Sequence, residues 1–474
     1  MTLLLTSVED CGIISVVKSE ETDLQRTVFK RKLYDKLVEW KNRSKGETAL
    51  LIEGARRTGK STLVKEFGER EYKSFVIIDF MKPNRKVVSA IKNHPDDLNK
   101  VFAEISFAYR VRLYERNTLI VFDEVQRCPQ ARELIKALVE DRRYDYIETG
   151  SLISIKMNVA NITIPSEEEI VGMFPMDFEE FLWAMGDEVT FPAIRNAFYS
   201  RVPMGGDIHE MAMQRFREYL LVGGMPQAVA KYRQTHDFVD VDIVKRGILK
   251  LYHDDIAKFA KSSAARVRAL FDGIPGQLAK KEKKFSFAAI GKTARRRRYE
   301  NAFLWLAEAK IANIAYNATD PGVALAMSED NSTVKVYSSD SGLMSTQSLG
   351  DQSIMQTSLY GEVYSGDLAI NEGMVMENFV AQSFAASGRR LFFYSRYYQH
   401  DSSDRMEIDF LIRRGDVICP VEVKSGKNYM KHSSLDKFRA KFGSRLGEPY
   451  ILYTKDYALK DGIIHLPLYM ASLL

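Results

Sequence analysis

Residues 54–61 read Gly54-Ala55-Arg56-Arg57-Thr58-Gly59-Lys60-Ser61: two glycines separated by four residues, then a lysine and a hydroxyl side chain. That pattern is a phosphate-binding loop. The apolar run 49–52 before it suits a buried strand, and residues 61–67 (STLVKEF) after it suit an amphipathic helix. In this order the loop N–H groups and the helix N-terminus face a triphosphate. Lys60 then reaches the β and γ oxygens, and the Ser61 hydroxyl takes a place on Mg²⁺. Gly54, Arg57, Thr58, Gly59, Lys60, Ser61 and Thr62 are therefore the expected contacts of ATP.

Downstream, apolar runs at 75–79, 119–123 and 144–149 alternate with helical patterns at 96–115 and 131–141, the signature of a parallel sheet wrapped in helices. The run Leu119-Ile120-Val121-Phe122 delivers Asp123 and Glu124 to the C-terminal edge of that sheet, where ligands of open α/β sheets bind. Asp123 is placed to hold the Mg²⁺ shell, and Glu124 to polarise the water that attacks the γ-phosphate. A kinase takes its nucleophile from substrate, so Glu124 favours hydrolysis. One strand, 75–79, intervenes between the loop strand and the Asp-Glu strand, as in ATPases that insert one strand between their two nucleotide motifs. The next strand ends Glu148-Thr149-Gly150-Ser151, where Thr149 or Ser151 either senses the γ-phosphate or simply forms a turn.

With 474 residues the chain is too long for one core. Our division is an N-terminal extension (1–24), a P-loop ATPase domain (25–190), a helical lid and winged-helix region (191–345) and a C-terminal α/β domain (346–474). The apolar and charged fractions, 45% and 28%, are ordinary for a globular protein. No segment has the length of a membrane span, and the opening MTLLL lacks a basic leader and meets Glu9 and Asp10, so a cytoplasmic location is expected. Cys11, Cys128 and Cys419 lie too far apart in sequence to suggest a disulfide framework or a clustered zinc site.

Together GARRTGKS, LIVFDEVQ, ETGS, MFPMDFEEFL (173–182) and YLLVGGMPQAV (219–229) resemble a family of prokaryotic AAA-type ATP-binding proteins that carry a C-terminal domain of unknown function. The resemblance runs over nearly the whole chain. It implies that Gln126 links the nucleotide to the next domain, and that a winged helix follows the lid. Most relatives show an arginine shortly before the segment corresponding to Pro175-Met176-Asp177-Phe178-Glu179. Here residues 169–173 read EIVGM, so the arginine finger has no candidate, and a neighbouring subunit of a homo-oligomer is one source for it.

Gly223-Gly224-Met225-Pro226 is a turn signal between helical stretches at 215–221 and 227–235, either a lid hinge or a plain loop. Helical patterns at 265–278 and 294–311, a short extended piece at 284–290 and a β-rich piece at 323–337 follow in the order of a winged helix. The charge concentrates there. Lys280, Lys281, Lys283, Lys284, Lys292, Arg295, Arg296, Arg297 and Arg298 stand against one acid, Glu282, an excess larger than the +5 of the whole chain. Such a run either meets phosphates, with double-stranded DNA the first choice of partner, or is a solvated helix start. A protein partner is the third reading.

At the C-terminal end, a helical pattern at 371–387 carries Glu377. The strands 407–412 and 419–424 make a hairpin turned at 414–416. Asp409, Glu422 and Lys424 reproduce the spacing of the restriction-endonuclease-like (PD-(D/E)XK) superfamily, with Glu377 the additional carboxylate. The strand period puts Glu422 and Lys424 on one face. Such a set can hold Mg²⁺ or Mn²⁺ and leave Lys424 to orient water, the chemistry of phosphodiester hydrolysis. The alternative is an internal Glu422–Lys424 ion pair in a fold that no longer cuts. The expectation is thus an ATPase that drives a DNA-directed activity, a nuclease among the options. The other class is a nucleotide-operated switch whose C-terminal domain binds nucleic acid or protein without catalysis.

Overall fold

The computed structural model describes residues 28–150, 167–280, 284–286, 296–322, 324–350, 372–398, 401–425 and 431–474, with the single positions 361 and 364. Two sheets organise the chain.

The first has five parallel strands in the order β2-β3-β4-β1-β5: β1 Ala49–Glu53, β2 Ser74–Asp79, β3 Thr118–Asp123, β4 Asp145–Gly150 and β5 Glu168–Gly172. β1 and β4 are buried along their full length, as strands covered on both faces must be. Alternation divides their side chains. Leu50, Ile52, Leu119 and Val121 face a core with the helices Lys32–Ser44 and Lys60–Glu71. Ala49, Leu51, Ile120 and Phe122 face the opposite core, with helices Arg85–Asn93, Leu98–Tyr109 and Pro129–Asp141. The helix expected over 96–115 is shorter than its pattern because Arg110 turns left-handed and caps it. In the sheet, the strand between the two nucleotide motifs is β4, not the β2 that separates them in sequence; Thr149 is thereby carried next to Asp123.

A helical section follows: Phe178–Ala184, Thr190–Ser200, Gly206–Val222, Pro226–Thr235, Phe238–Phe259 and Ala264–Leu278. The second sheet has nine strands in the order β13-β14-β12-β11-β10-β9-β7-β8-β6. These are β6 Phe285–Ser286, β7 Ala312–Ala318, β8 Glu329–Ser338, β9 Leu391–Tyr398, β10 Asp401–Arg414, β11 Val417–Val423, β12 Tyr450–Tyr453, β13 Ala458–Lys460 and β14 Ile463–Pro467. The β10–β11 hairpin turns where the sequence placed it.

The second sheet revises the domain reading. β7 and β8 do not stand apart as a wing: β8 pairs antiparallel with β7, and β7 pairs parallel with β9, so the β-rich piece near 323–337 belongs to the C-terminal sheet. Gly223-Gly224 makes the turn between the helices Gly206–Val222 and Pro226–Thr235, and that turn is closely packed. A Cβ on Gly342 would come within 2.5 Å of Gly223, and one on Gly224 within 2.0 Å of the Met176 carbonyl. Absence of a side chain there permits backbone contact. Gly224 N–H donates to the buried Asp340 carboxylate at 2.6 Å, and its carbonyl accepts from Met176 N–H at 2.7 Å.

Candidate functional site

β1 runs straight into the phosphate loop. A Cβ on Gly54 would stand 2.2 Å from the Met173 carbonyl, and Gly59, at φ +98°, takes a left-handed turn into the helix Lys60–Glu71. Arg57 also sits in the left-handed region, at φ 72°, an uncommon conformation for a side-chain-bearing residue and one concentrated at functional loops. Thr58 is fully buried and its hydroxyl donates to the Ala55 carbonyl at 2.9 Å. Its side chain therefore folds the loop, leaving its N–H rather than its hydroxyl as the ligand group. Ser61, Thr62 and Arg57 are exposed at the loop mouth.

The Lys60 ammonium donates to the Gly54 and Ala55 carbonyls, each at 2.9 Å. Burial pushes its pKa down to about 8, against the pull of the Glu124 and Asp123 carboxylates. The Ser61 hydroxyl donates to Asp123 Oδ2 at 2.9 Å, and the Thr149 hydroxyl donates to Asp123 Oδ1. Ser61, Asp123 and Thr149 thus meet at one point above the sheet. Ser61 and Asp123 are hard oxygen donors, suited to Mg²⁺, which is bound through one or two protein ligands together with phosphates and water. Glu124 turns off the strand end at φ 55°, and Gln126 donates to its Oε2 at 2.5 Å, so Gln126 positions the carboxylate. Ser151 lies outside the described residues.

Sequence reasoning missed Arg31. Its guanidinium donates to the Thr58 carbonyl at 2.9 Å and the Phe174 carbonyl at 2.7 Å, and pairs with Glu180 at 3.1 Å. Asp177 and Glu180 close a capping box on the helix Phe178–Ala184, while Glu179 binds Lys32 and Arg195. The acidic segment 173–182 therefore braces the phosphate loop from behind, through Arg31. No local pattern marks that arginine; only the fold brings it 27 residues along the chain to Thr58.

The C-terminal set also comes together, around a residue not foreseen. Lys335 of β8 is completely buried, with its ammonium 3.2 Å from Glu377, 3.1 Å from Glu407 and 3.3 Å from Asp409. Tyr337 donates to Glu377 at 2.6 Å. Burial alone would lower the Lys335 pKa; the surrounding carboxylates outweigh it and hold the pKa well above the ordinary value. Glu422 and Lys424 share a face as expected, paired at 2.6 Å. Burial raises the Glu422 pKa despite that lysine. Among the described residues no group of three His, Cys, Asp or Glu side chains is arranged to hold a metal ion. The expected Glu377, Asp409 and Glu422 metal site is not shown: the Lys335 ammonium stands against Glu377 and Asp409, and Lys424 against Glu422.

Of the basic run, Lys283 and Arg295 lie outside the described residues. Arg296, Arg297 and Arg298 open the helix Arg296–Glu308, with side chains outside the description. The Lys284 ammonium donates to the Ser395 hydroxyl of β9 at 2.9 Å. No described helix is long and apolar enough to cross a membrane.

Residues 46–182 match an AAA domain, residues 213–353 a domain of unknown function (DUF8612), and residues 372–470 another (DUF4143). No curated protein matches the chain. Among solved structures, the ORC1 protein of Aeropyrum pernix, solved in complex with DNA, is similar at 12% identity over 70% of this chain and 95% of that one, with a TM-score of 0.27. CDC6P of Pyrobaculum aerophilum is similar at 11% identity over 71% and 93%, with a TM-score of 0.23. Likeness at that level carries no functional reading. The matched segment 46–182, with its phosphate loop on a parallel five-stranded sheet, is an AAA-type P-loop domain.

Proposed function

We propose that the chain is a Mg²⁺-dependent ATPase whose nucleotide cycle operates a C-terminal domain that binds without cutting. The observation that carries the first half is the meeting of Lys60, Ser61, Asp123 and Glu124 at the C-terminal edge of the first sheet. Mg²⁺ held by Ser61 and Asp123 would neutralise charge on the β and γ oxygens. Lys60 exchanges the Gly54 and Ala55 carbonyls for the triphosphate. Glu124, kept in place by Gln126, accepts the proton of the water attacking the γ-phosphorus.

Lys335 supports the second half. It supplies positive charge among Glu377, Glu407 and Asp409 from within the protein, and Lys424 is engaged by Glu422, so neither lysine is left to serve a phosphodiester. This favours the switch over the nuclease. The basic excess at 280–298, ahead of that domain, supports double-stranded DNA as what the chain engages. Replacing Arg295–Arg298 by glutamine should then flatten the salt dependence of DNA affinity by roughly one power of salt for each phosphate no longer neutralised.

The test incubates the full chain with ATP, Mg²⁺ and plasmid DNA, then with Mn²⁺. Wild type should consume ATP and leave the plasmid intact, and Lys60→Ala should consume none. Wild-type turnover by Lys60→Ala would sink the site assignment. Cleavage that disappears in Asp409→Ala would overturn the non-cutting reading.

A further inference from the structure

The phosphate loop carries a second cation, Arg56, whose surroundings differ from those of Lys60. Its guanidinium Nη1 lies 2.7 Å from Oδ1 of Asp255 on the helix Phe238–Phe259. One turn earlier on the same face of that helix, the Tyr252 hydroxyl donates to the Arg56 carbonyl at 3.0 Å. The helical section therefore grips this one loop residue by side chain and by backbone. Arg56 and Asp255 line a cavity of about 460 Å³ together with Lys60, Glu124 and, from the helix Arg296–Glu308, Trp305.

A space bounded by both Lys60 and Glu124 is the γ end of the nucleotide site, since one reaches the γ oxygens and the other the attacking water. We propose that Arg56 is the γ-phosphate's own arginine, supplied in cis from inside the loop, and that Asp255 holds it aside until a triphosphate takes it. A γ-phosphate presents more negative charge and more acceptor oxygens than one carboxylate, and it matches the planar fork of a guanidinium. ADP has no γ-phosphate and leaves the Arg56–Asp255 pair closed. ATP draws Arg56 across, frees Asp255, and loosens the helix Phe238–Phe259 from the loop. The missing arginine before the 175–179 segment is thereby replaced from within the same chain. Arg57 does not qualify, being exposed and turned left-handed at the loop mouth.

The inference rests on the ATP-site reading above, and the experiment separates the two. ATP and ADP affinities are measured by calorimetry with Mg²⁺ on the full chain, for wild type, Arg56→Gln, Asp255→Asn, the double variant and Lys60→Ala. A charge-assisted hydrogen bond is worth about tenfold in affinity, so Asp255→Asn should bind ATP about tenfold tighter with ADP unchanged. Arg56→Gln should lose the preference for ATP over ADP and slow turnover, and the double variant should match it. Hydrogen exchange adds a readout that a merely structural pair would not move: ATP, but not ADP, should speed exchange over residues 252–259 in wild type. If Arg56→Gln fails to fold, Asp255→Asn and the exchange data decide. An unchanged ATP-to-ADP ratio in Asp255→Asn, or equal exchange with both nucleotides, overturns the proposal. Wild-type binding of both nucleotides by Lys60→Ala would instead overturn the site reading beneath it.

Discussion

Lys60 and Lys335 are both lysines set among carboxylates beside a sheet, yet they are in opposite electrostatic states. Lys60 rests on two carbonyls beside a cavity, with its pKa lowered to about 8 by burial, and the Asp123 and Glu124 carboxylates nearby do not neutralise it by contact. Lys335 is sealed from solvent and touches three carboxylates that raise its pKa well above the ordinary value. The first site has no carboxylate in contact with its ammonium, which rests on backbone carbonyls alone. The second is complete within the chain. Residue types alone, a lysine with acids, do not separate a binding site from a structural ion cluster; what separates them is whether the charges are already satisfied.

The contrast can be broken most sharply at Glu124. Glu124→Gln should keep ATP affinity and lower turnover by about 10²–10⁴-fold, the usual worth of a general base, as read by phosphate release under saturating ATP. Wild-type turnover in that variant would remove Glu124 from the chemistry. At the other pole, Lys335→Met should cost about 3–5 kcal/mol in denaturant unfolding, because three buried or half-buried carboxylates lose their cation. Adding Glu377→Gln should restore part of that loss, and a Lys335→Met chain as stable as wild type would show that the cluster does not depend on its lysine. The smallest effect concerns protons at Lys60. A pKa near 8 means the free lysine loses its charge as pH rises through that value, whereas a bound triphosphate favours the charged form. ATP affinity should therefore fall by about tenfold from pH 7 to pH 9, with proton uptake on binding above pH 8. Lys60→Arg should bind with a flat profile; a flat profile in wild type would mean that Lys60 is not the titrating group.

The nucleotide half was legible because its chemistry is contiguous. Gly54 to Ser61 is one loop, and Asp123-Glu124 is one strand end, so strand and helix periodicity place them without tertiary information. Arg31, Arg56 with Asp255, and Lys335 were not legible, because each acquires its meaning from a partner far along the chain. Lys335 lies in a β-rich piece whose local pattern fits a wing as well as a sheet strand, and only the pairing of β7 with β9 decides between them. Gly223-Gly224 does make the turn that a glycine pair signals, between the helices Gly206–Val222 and Pro226–Thr235; what local pattern does not tell is that the missing side chains also admit the Met176 and Gly342 backbones. Glu422 and Lys424 were placed correctly on one face by the strand period, which does not say whether two such neighbours act on a ligand or on each other.

The buried contact of Gly223 and Gly224 with Gly342 and Asp340 bears on how the molecule comes apart. One continuous apolar cluster runs from Ala55 in the phosphate loop through Met176 and Tyr219 to Phe410 and Leu474. A cut between the two sheets opens this cluster, although the five-stranded sheet keeps its own two cores. A fragment ending near residue 190 would bare Ala55, Met176 and Phe178, and its counterpart would keep the Gly224 carbonyl without the Met176 amide. The shared cluster couples the two halves, so a nucleotide bound at the phosphate loop should raise the melting temperature of the C-terminal strands as well, as read by thermal unfolding with and without ATP.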